Sequence, residues 1–315
     1  MSRETCFSAT KTNPVVKAES GGQSFVLKCP LSYIYDKCRD FAAEFAGSRR
    51  LRLHVDRDLD EQVLVYPFFK TTLFDLIAED PELPIFERVK IMTTVAEAIQ
   101  EVHKKNWAHL DISPNNVLVD WTCNGHGDKT VTNVAVGGLS SAMSAMTLET
   151  DGMRCDDTGS REWRSPEVYS GRGMSMASDI YSFGLVMLYT LGAGSMLRYA
   201  EGLAAKGGGV TLCHVEELMA RHFAFFGPAT EGLFKVIRGE EYCRKANILS
   251  YHSQLVLKSR PDLSFQSWGQ GLGPEVHARI SWMLKMDPAA RPTIDQVLAF
   301  LRSGGVRSSY RQVLV

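Results

Sequence analysis

Short apolar runs separated by turn residues fill the first part of the chain, and longer helical periods fill the rest. Pro14-Val15-Val16 and Phe25-Val26-Leu27 flank the turn signal Glu19-Ser20-Gly21-Gly22, which predicts a β-hairpin. From Tyr35 to Ala46 the apolar residues take helical spacing, with Phe41 and Phe45 four apart. Val63-Leu64-Val65-Tyr66 has the make-up of a short buried strand. After Lys70 the period changes. Between Glu87 and His103, residues Val89, Ile91, Met92, Val95, Ala96, Ile99 and Val102 line one side of an amphipathic helix. Short strands are expected at Val117-Leu118-Val119 and Val134-Ala135-Val136, with helices dominating to the end. The longest apolar stretch, Ile180 to Leu191, contains Ser182 and Gly184. It falls short of the ~20 residues that cross a bilayer, so it reads as a buried core helix. Gly207-Gly208-Gly209 marks a loop, and Ser303 to Val315 reads as a frayed tail. The pattern is α+β: a small β-rich part over 1–69, a larger α-rich part over 70–302, and the tail 303–315.

Composition narrows the class. The 315 residues are 44% hydrophobic and 23% charged, which excludes intrinsic disorder. The 35 basic and 36 acidic side chains leave a net charge of -1, without the basic footprint of a nucleic-acid or anionic-membrane binder. The 7 cysteines are scattered, and none forms a C-x-x-C pair. Such a set reads as reduced thiols in a cytoplasmic or nuclear protein, not as a disulfide framework or zinc site. The opening MSRETCFSAT has no apolar h-region, so no signal peptide is expected.

The segment richest in chemistry is His109-Leu110-Asp111-Ile112-Ser113-Pro114-Asn115-Asn116-Val117-Leu118. It follows the long amphipathic helix and runs into an apolar strand. The segment resembles the catalytic loop of eukaryotic protein kinases. There an Asp accepts or orients the substrate hydroxyl proton, and an Asn five residues on holds magnesium. The resemblance puts Asp111 and Asn116 in those roles. Trp163-Arg164-Ser165-Pro166-Glu167 is similar to the A-P-E motif that closes the activation segment. Asp179-Ile180-Tyr181-Ser182-Phe183-Gly184 resembles the start of the family's buried central helix, whose Asp caps the catalytic-loop backbone. Arg291, in Asp287-Pro288-Ala289-Ala290-Arg291-Pro292, matches the Arg that pairs with the A-P-E Glu. The family therefore implies a buried Glu167–Arg291 ion pair.

Upstream, Phe25-Val26-Leu27-Lys28 resembles the strand whose Lys meets the nucleotide phosphates. The implied acidic partner on the next helix is Glu44, with Asp40 as the alternative. The hinge falls at Tyr66-Pro67-Phe68-Phe69, with Tyr66 and Phe68 lining the nucleotide and Pro67 lacking a donor. Almost the whole chain, including Arg221-His222-Phe223-Ala224-Phe225-Phe226-Gly227, is similar to Ser/Thr protein kinase-like proteins found in fungi. The resemblance implies a bilobal protein-kinase-like fold, ATP and magnesium as cofactors, and a protein substrate or protein partner. It implies no nucleic acid, membrane or particular oligomeric state. Aminoglycoside and choline kinases share the H-x-D-x-x-x-x-N loop, but lack the Glu167–Arg291 anchor.

Three departures qualify that reading. Where the family has D-F-G, this chain reads Val134-Ala135-Val136-Gly137-Gly138-Leu139. Gly138 takes the metal Asp position in the favoured register and Val136 in the other, and neither binds a metal. Asp151, Asp156 and Asp157 reach the site only by an unusual fold-back. Ser113 replaces the Lys that stabilises the transferring phosphoryl group. No G-x-G-x-x-G precedes Lys28, and Phe7 to Asn13 occupies its place. Binding of ATP and magnesium is thus expected to be weakened and the protein to be a pseudokinase serving as scaffold or regulator. The alternative is an active, atypical Ser/Thr kinase using Asp111 and Asn116. Thr147, Thr150, Thr158 and Ser160 are candidate phosphorylation sites, but Leu110 replaces the Arg that would read the phosphate. His126-Gly127-Asp128 reads as a plain turn, and Arg49, Arg50, Arg52 and Arg57 as a solvated helix end.

Overall fold

The computed structural model describes residues 2–10, 13–150, 161–170, 173–194, 197, 213–237 and 239–308, with side chains from Val15 onward except at 149, 150 and 170. The glycine run 207–209, the acids and hydroxyls over 151–160, and the tail beyond Ser308 lie outside the described residues.

Alternating residues in the first part build a five-stranded antiparallel sheet in the order β1-β2-β3-β5-β4. Its strands are β1 (Ser2–Thr10), β2 (Asn13–Ser20), β3 (Gln23–Lys28), β4 (Asp56–Asp58) and β5 (Val63–Pro67). The hairpin turns through Gly21 and Gly22, whose φ values of 59° and 75° suit glycine. Pro30 ends β3, and helix α1 (Ser32–Glu44) starts three residues before the expected Tyr35. Phe41 of α1 stacks on Phe45 at 4.3 Å and meets Trp107 edge-on at 5.4 Å. That aromatic cluster ties the small lobe to the large one.

The large lobe starts with β6 (Thr71–Thr72) and α2 (Leu73–Glu79), capped by the Thr72 side chain. Helix α3 (Ile85–Lys104) runs through the core, with Ile91, Met92, Val95, Ala96, Ile99 and Val102 all 1% exposed or less. It leads to β7 (Trp107–Ala108), the catalytic-type loop, and the pair β8 (Val117–Cys123) and β9 (Lys129–Val136). These two strands are longer than their apolar runs, because the solvent-facing ends pair as well as the buried ones. β10 (Met143–Ser144) pairs with β7 and precedes α4 (Ala145–Thr150). Helix α5 (Met176–Leu188) is buried over Ser178–Leu188 and is closed at its start by a Ser175–Ser178 capping box. Its apolar run continues as a π-type turn, Tyr189–Ala193, broken where Gly192 takes φ 95°. Helices α6 (His214–Phe226), α7 (Glu231–Val236), α8 (Glu240–Ser259), α9 (Phe265–Trp268), α10 (Pro274–Met283) and α11 (Ile294–Arg302) complete the lobe. This is an α+β bilobal kinase fold. Past α11 the chain does not fray at Ser303: Val306 is 0% exposed and packs into the main core. A buried Val cannot leave without exposing apolar surface.

Candidate active-site loop and nucleotide cleft

The loop after β7 hangs on one buried carboxylate. Asp179, 0% exposed on α5, accepts the His109 N–H on Oδ2 and the Leu110 N–H on Oδ1, both at 2.8 Å. Oδ2 also faces His103 Nε2 at 2.9 Å. Leu110 sits at φ 64°, a left-handed conformation that a branched side chain rarely adopts. The two bonds from Asp179 hold that turn. His109 is buried and locked by two backbone groups. Its Nδ1 accepts the Asp111 N–H at 3.2 Å, so Nε2 carries the proton and donates to the Gly137 carbonyl at 2.9 Å. Burial lowers its pKa and outweighs the opposing pull of Asp179 and that carbonyl, keeping the ring neutral. The sequence reading missed His103. Its signal is a histidine at the end of α3, six residues before His109.

The structure brings Asp111 and Asn116 together. Asn116 Nδ2 donates to the Asp111 carbonyl at 2.8 Å and to Asp111 Oδ2 at 2.7 Å. Both partners accept, so the amide nitrogen faces them. Gly138 lies directly against this amide at φ 76°, and a Cβ there would stand 2.6 Å from Asn116 Cγ. Val136 is 0% exposed within the core, turned away from the loop. Position 138 is therefore the one that faces Asn116, and it brings no side chain. Ser113 is fully buried, and its hydroxyl has no hydrogen-bond partner among the described residues.

Lys28 ends β3, paired with Val15 and Leu64. The structure does not bring Glu44 to it: Glu44 pairs with Lys105 at 3.0 Å on the surface. Asp40 does not replace it, since it pairs with Arg39 at 2.9 Å. Helix α1 begins so soon after Lys28 that both acids fall on its outer side and pair there. The Lys28 Nζ lies instead 5.3 Å from the Tyr66 ring centroid. Tyr66 hydrogen-bonds the Cys38 thiol, and burial raises the pKa of both groups. Phe68 lies under Lys17, with Nζ 4.9 Å from its centroid.

Two members of the arginine cluster are tied into the fold, Arg50 while still partly exposed and Arg52 largely buried. Arg50 pairs with Glu97 at 2.7 Å and Glu101 at 2.8 Å. Arg52 turns into the cleft, where Nε and Nη2 donate to the Pro67 carbonyl at 3.0 and 2.7 Å. Its guanidinium lies 5.4 Å from the Tyr66 centroid. The signal was alternation: Leu51 is buried at the bridge to Val136, so Arg52 faces the other side. The turn at His126 is held by Asn124 Oδ1, which accepts the His126 and Asp128 N–H groups at 2.9 Å each.

Glu167 and Arg291 meet where neither side chain has any exposure. Nη1 donates to Oε1 at 2.6 Å and Nη2 to Oε2 at 2.9 Å, a bidentate fork. Ser178 Oγ adds a bond to Oε1 at 2.8 Å. Burial works to raise the Glu167 pKa, but the Arg291 charge and these hydrogen bonds hold it below the usual carboxylate range.

A strand-rich lobe, a helical lobe, and a loop of Asp and Asn hung on an acid of the central buried helix define the two-lobed phosphotransferase scaffold. The family model for the protein kinase domain matches residues 53–300, and the chain belongs to the protein kinase family. It is 31% identical over 115 residues to the serine/threonine-protein kinase PknA of Corynebacterium glutamicum, covering 36% of this chain and 22% of that protein. It is 28% identical over 140 residues to extracellular signal-regulated kinase 7 of Drosophila melanogaster, 43% of this chain and 14% of the relative. It is 29% identical over 119 residues to the mitosis inhibitor protein kinase SWE1 of Candida albicans, 37% and 9%. The matches thus span less than a quarter of the length of these curated relatives. Among the described residues no helix is long and apolar enough to cross a membrane.

Proposed function

We propose that this member of the protein kinase family is a pseudokinase, a degenerate phosphotransferase scaffold that works by binding a protein partner. The geometry at position 138 carries the reading. Magnesium needs several hard oxygen ligands in a near-octahedral set. Asn116 gives its amide nitrogen to Asp111 and keeps a single amide oxygen for a metal, while Gly138 supplies no carboxylate beside it. This donor set does not fit a resident magnesium ion, and no step of phosphoryl transfer is assigned to it. Asp111 then orders the loop through Asn116. The lobes divide at Phe69 and Lys70, with the cleft between them. Cys38, Cys123, Cys213 and Cys243 form no disulfide among the described residues, which supports a reducing compartment, cytoplasmic or nuclear.

A second reading has one observation in its favour. Asp111 and Asn116 stand in contact on a loop held by Asp179, which suits an atypical Ser/Thr kinase acting on protein substrates. The test is transfer of the labelled γ-phosphate of ATP to the chain itself and to a mixed Ser/Thr peptide library, with magnesium or manganese. The pseudokinase reading expects the same background from the wild type and Asp111→Asn. Label that Asp111→Asn abolishes would establish the kinase instead.

A further inference from the structure

Helices α2, α5 and α6 enclose a cavity of about 320 Å³ in the large lobe. That is the small end of the range for small-molecule sites, roughly 300–1,000 Å³. Its walls are mainly aromatic: Phe74, Trp163, Tyr189 and Phe225, with Leu185 and Leu218 between them. The rings are fixed before any ligand arrives. Phe74 and Tyr189 stack at 5.4 Å with planes 3° apart, and Trp163 meets Tyr189 edge-on at 5.6 Å. The Tyr189 hydroxyl donates to the Phe74 carbonyl at 2.8 Å. A cavity held in this way saves a ligand the cost of ordering it.

One wall carries a charge that nothing matches. Arg221 of α6 lines the cavity and donates from Nη1 to the Leu197 carbonyl at 3.0 Å. Its Nε is buried and has no hydrogen-bond partner. No carboxylate pairs with Arg221 among the described residues. The one acid on the cavity wall, Glu162, is exposed and faces the exposed His214 at 3.8 Å. Next to Arg221, His222 is 4% exposed and meets the Tyr181 hydroxyl through Nδ1 at 2.7 Å. A buried N–H without an acceptor is costly, more so on a charged group, and an arriving anion removes that cost.

We propose that this cavity binds a small amphipathic carboxylic acid, with its apolar body among the aromatic walls and its carboxylate on Arg221. Nη1 is taken by Leu197, so the guanidinium edge formed by Nε and Nη2 is left for the ligand. That edge matches the two oxygens of one carboxylate. The aromatic walls take a ring or a short chain, and the volume limits the ligand to a small one. The site asks nothing of Asp111, Asn116 or a metal, so it stands apart from the question of phosphotransfer.

The test is calorimetric titration of the full chain with sodium 4-phenylbutyrate and with 4-phenylbutyramide, its uncharged counterpart. The wild type binds the acid roughly tenfold or more tighter than the amide, the worth of one charge-assisted contact. Arg221→Met brings the acid down to the level of the amide and leaves the amide where it was. Arg221→Lys guards against a folding defect: it keeps the charge and a preference for the acid. Leu218→Trp fills the cavity and abolishes binding of both ligands. Lys235→Ala, on a surface helix, changes neither. No heat with the acid, equal affinity for acid and amide, or binding that survives Leu218→Trp would overturn the proposal. So would a preference for the acid that Arg221→Met leaves intact.

Discussion

Replacing Arg291 by Met removes a charge and keeps much of the stem. Both members of the Glu167–Arg291 pair are completely buried, and Arg291 also donates to the carbonyls of Lys285 and Ala177 at 2.8 and 3.0 Å. Met leaves Glu167 as an unpaired buried carboxylate, which typically costs about 3–5 kcal/mol. For a lobe of this size that is a fall in Tm of roughly 6–20 °C. The pH dependence gives a sharper signature. In the wild type the Glu167 pKa is lowered, so its contribution is complete above the unfolded value of 4.5 and lost as pH falls through the folded value. In Arg291→Met, burial, the largest influence, is opposed only by the remaining hydrogen bonds and raises that pKa. The carboxyl then takes a proton on folding, at a cost that grows by about 1.4 kcal/mol per pH unit above the unfolded value until the folded pKa is reached. Urea unfolding at pH 7.5 and pH 5 (two conditions set by roughly the reference carboxylate pKa) should show a penalty that shrinks toward acid. A penalty below about 1 kcal/mol, the scale of an exposed pair, or one equal at both pH values, would refute the reasoning.

Other residues give further tests. Asp179→Ala leaves the His109 and Leu110 N–H groups without their acceptor, so stability should fall by roughly 2–6 kcal/mol, at 1–3 per buried group, read by chemical denaturation. Gly138→Asp puts a branched side chain into the Asn116 amide at φ 76°, so it should lower Tm and fail to create metal-dependent ATP binding, measured by thermal shift with and without magnesium. Burial first, then Arg221 and Arg291, hold the His222 pKa down to about 3. Its neutral ring therefore stabilises fully above pH 6.5, and that contribution is lost as pH falls from 6.5 toward about 3, by roughly 1.4 kcal/mol per pH unit. His222→Gln should flatten the slope of stability against pH over that window; an unchanged slope would count against it.

Local chemistry decided what the sequence alone determined. Helical periods placed α3 and α5, because an apolar stripe of period 3.6 has one way to be buried. The hairpin followed from paired glycines between branched runs. Asp111, Asn116, Glu167, Asp179 and Arg291 were legible because each sits in a fixed local string; Asp111 and Asn116 meet within one loop, while the fold brings Asp179 to Leu110 and Arg291 to Glu167 over separations of 69 and 124 positions. Ends of strands were less legible, since their outer residues are polar and pair only when a neighbour is present. Only the tertiary structure decided the cleft. Spacing put Glu44 opposite Lys28, but the start of α1 just past Pro30 turns that face outward, and Lys105 takes the acid. Composition counted Arg52 among surface charges, yet a backbone bridge to Val136 points it at Pro67. A charge's partner depends on which surfaces meet, and pairing between lobes is set by packing that no single segment encodes.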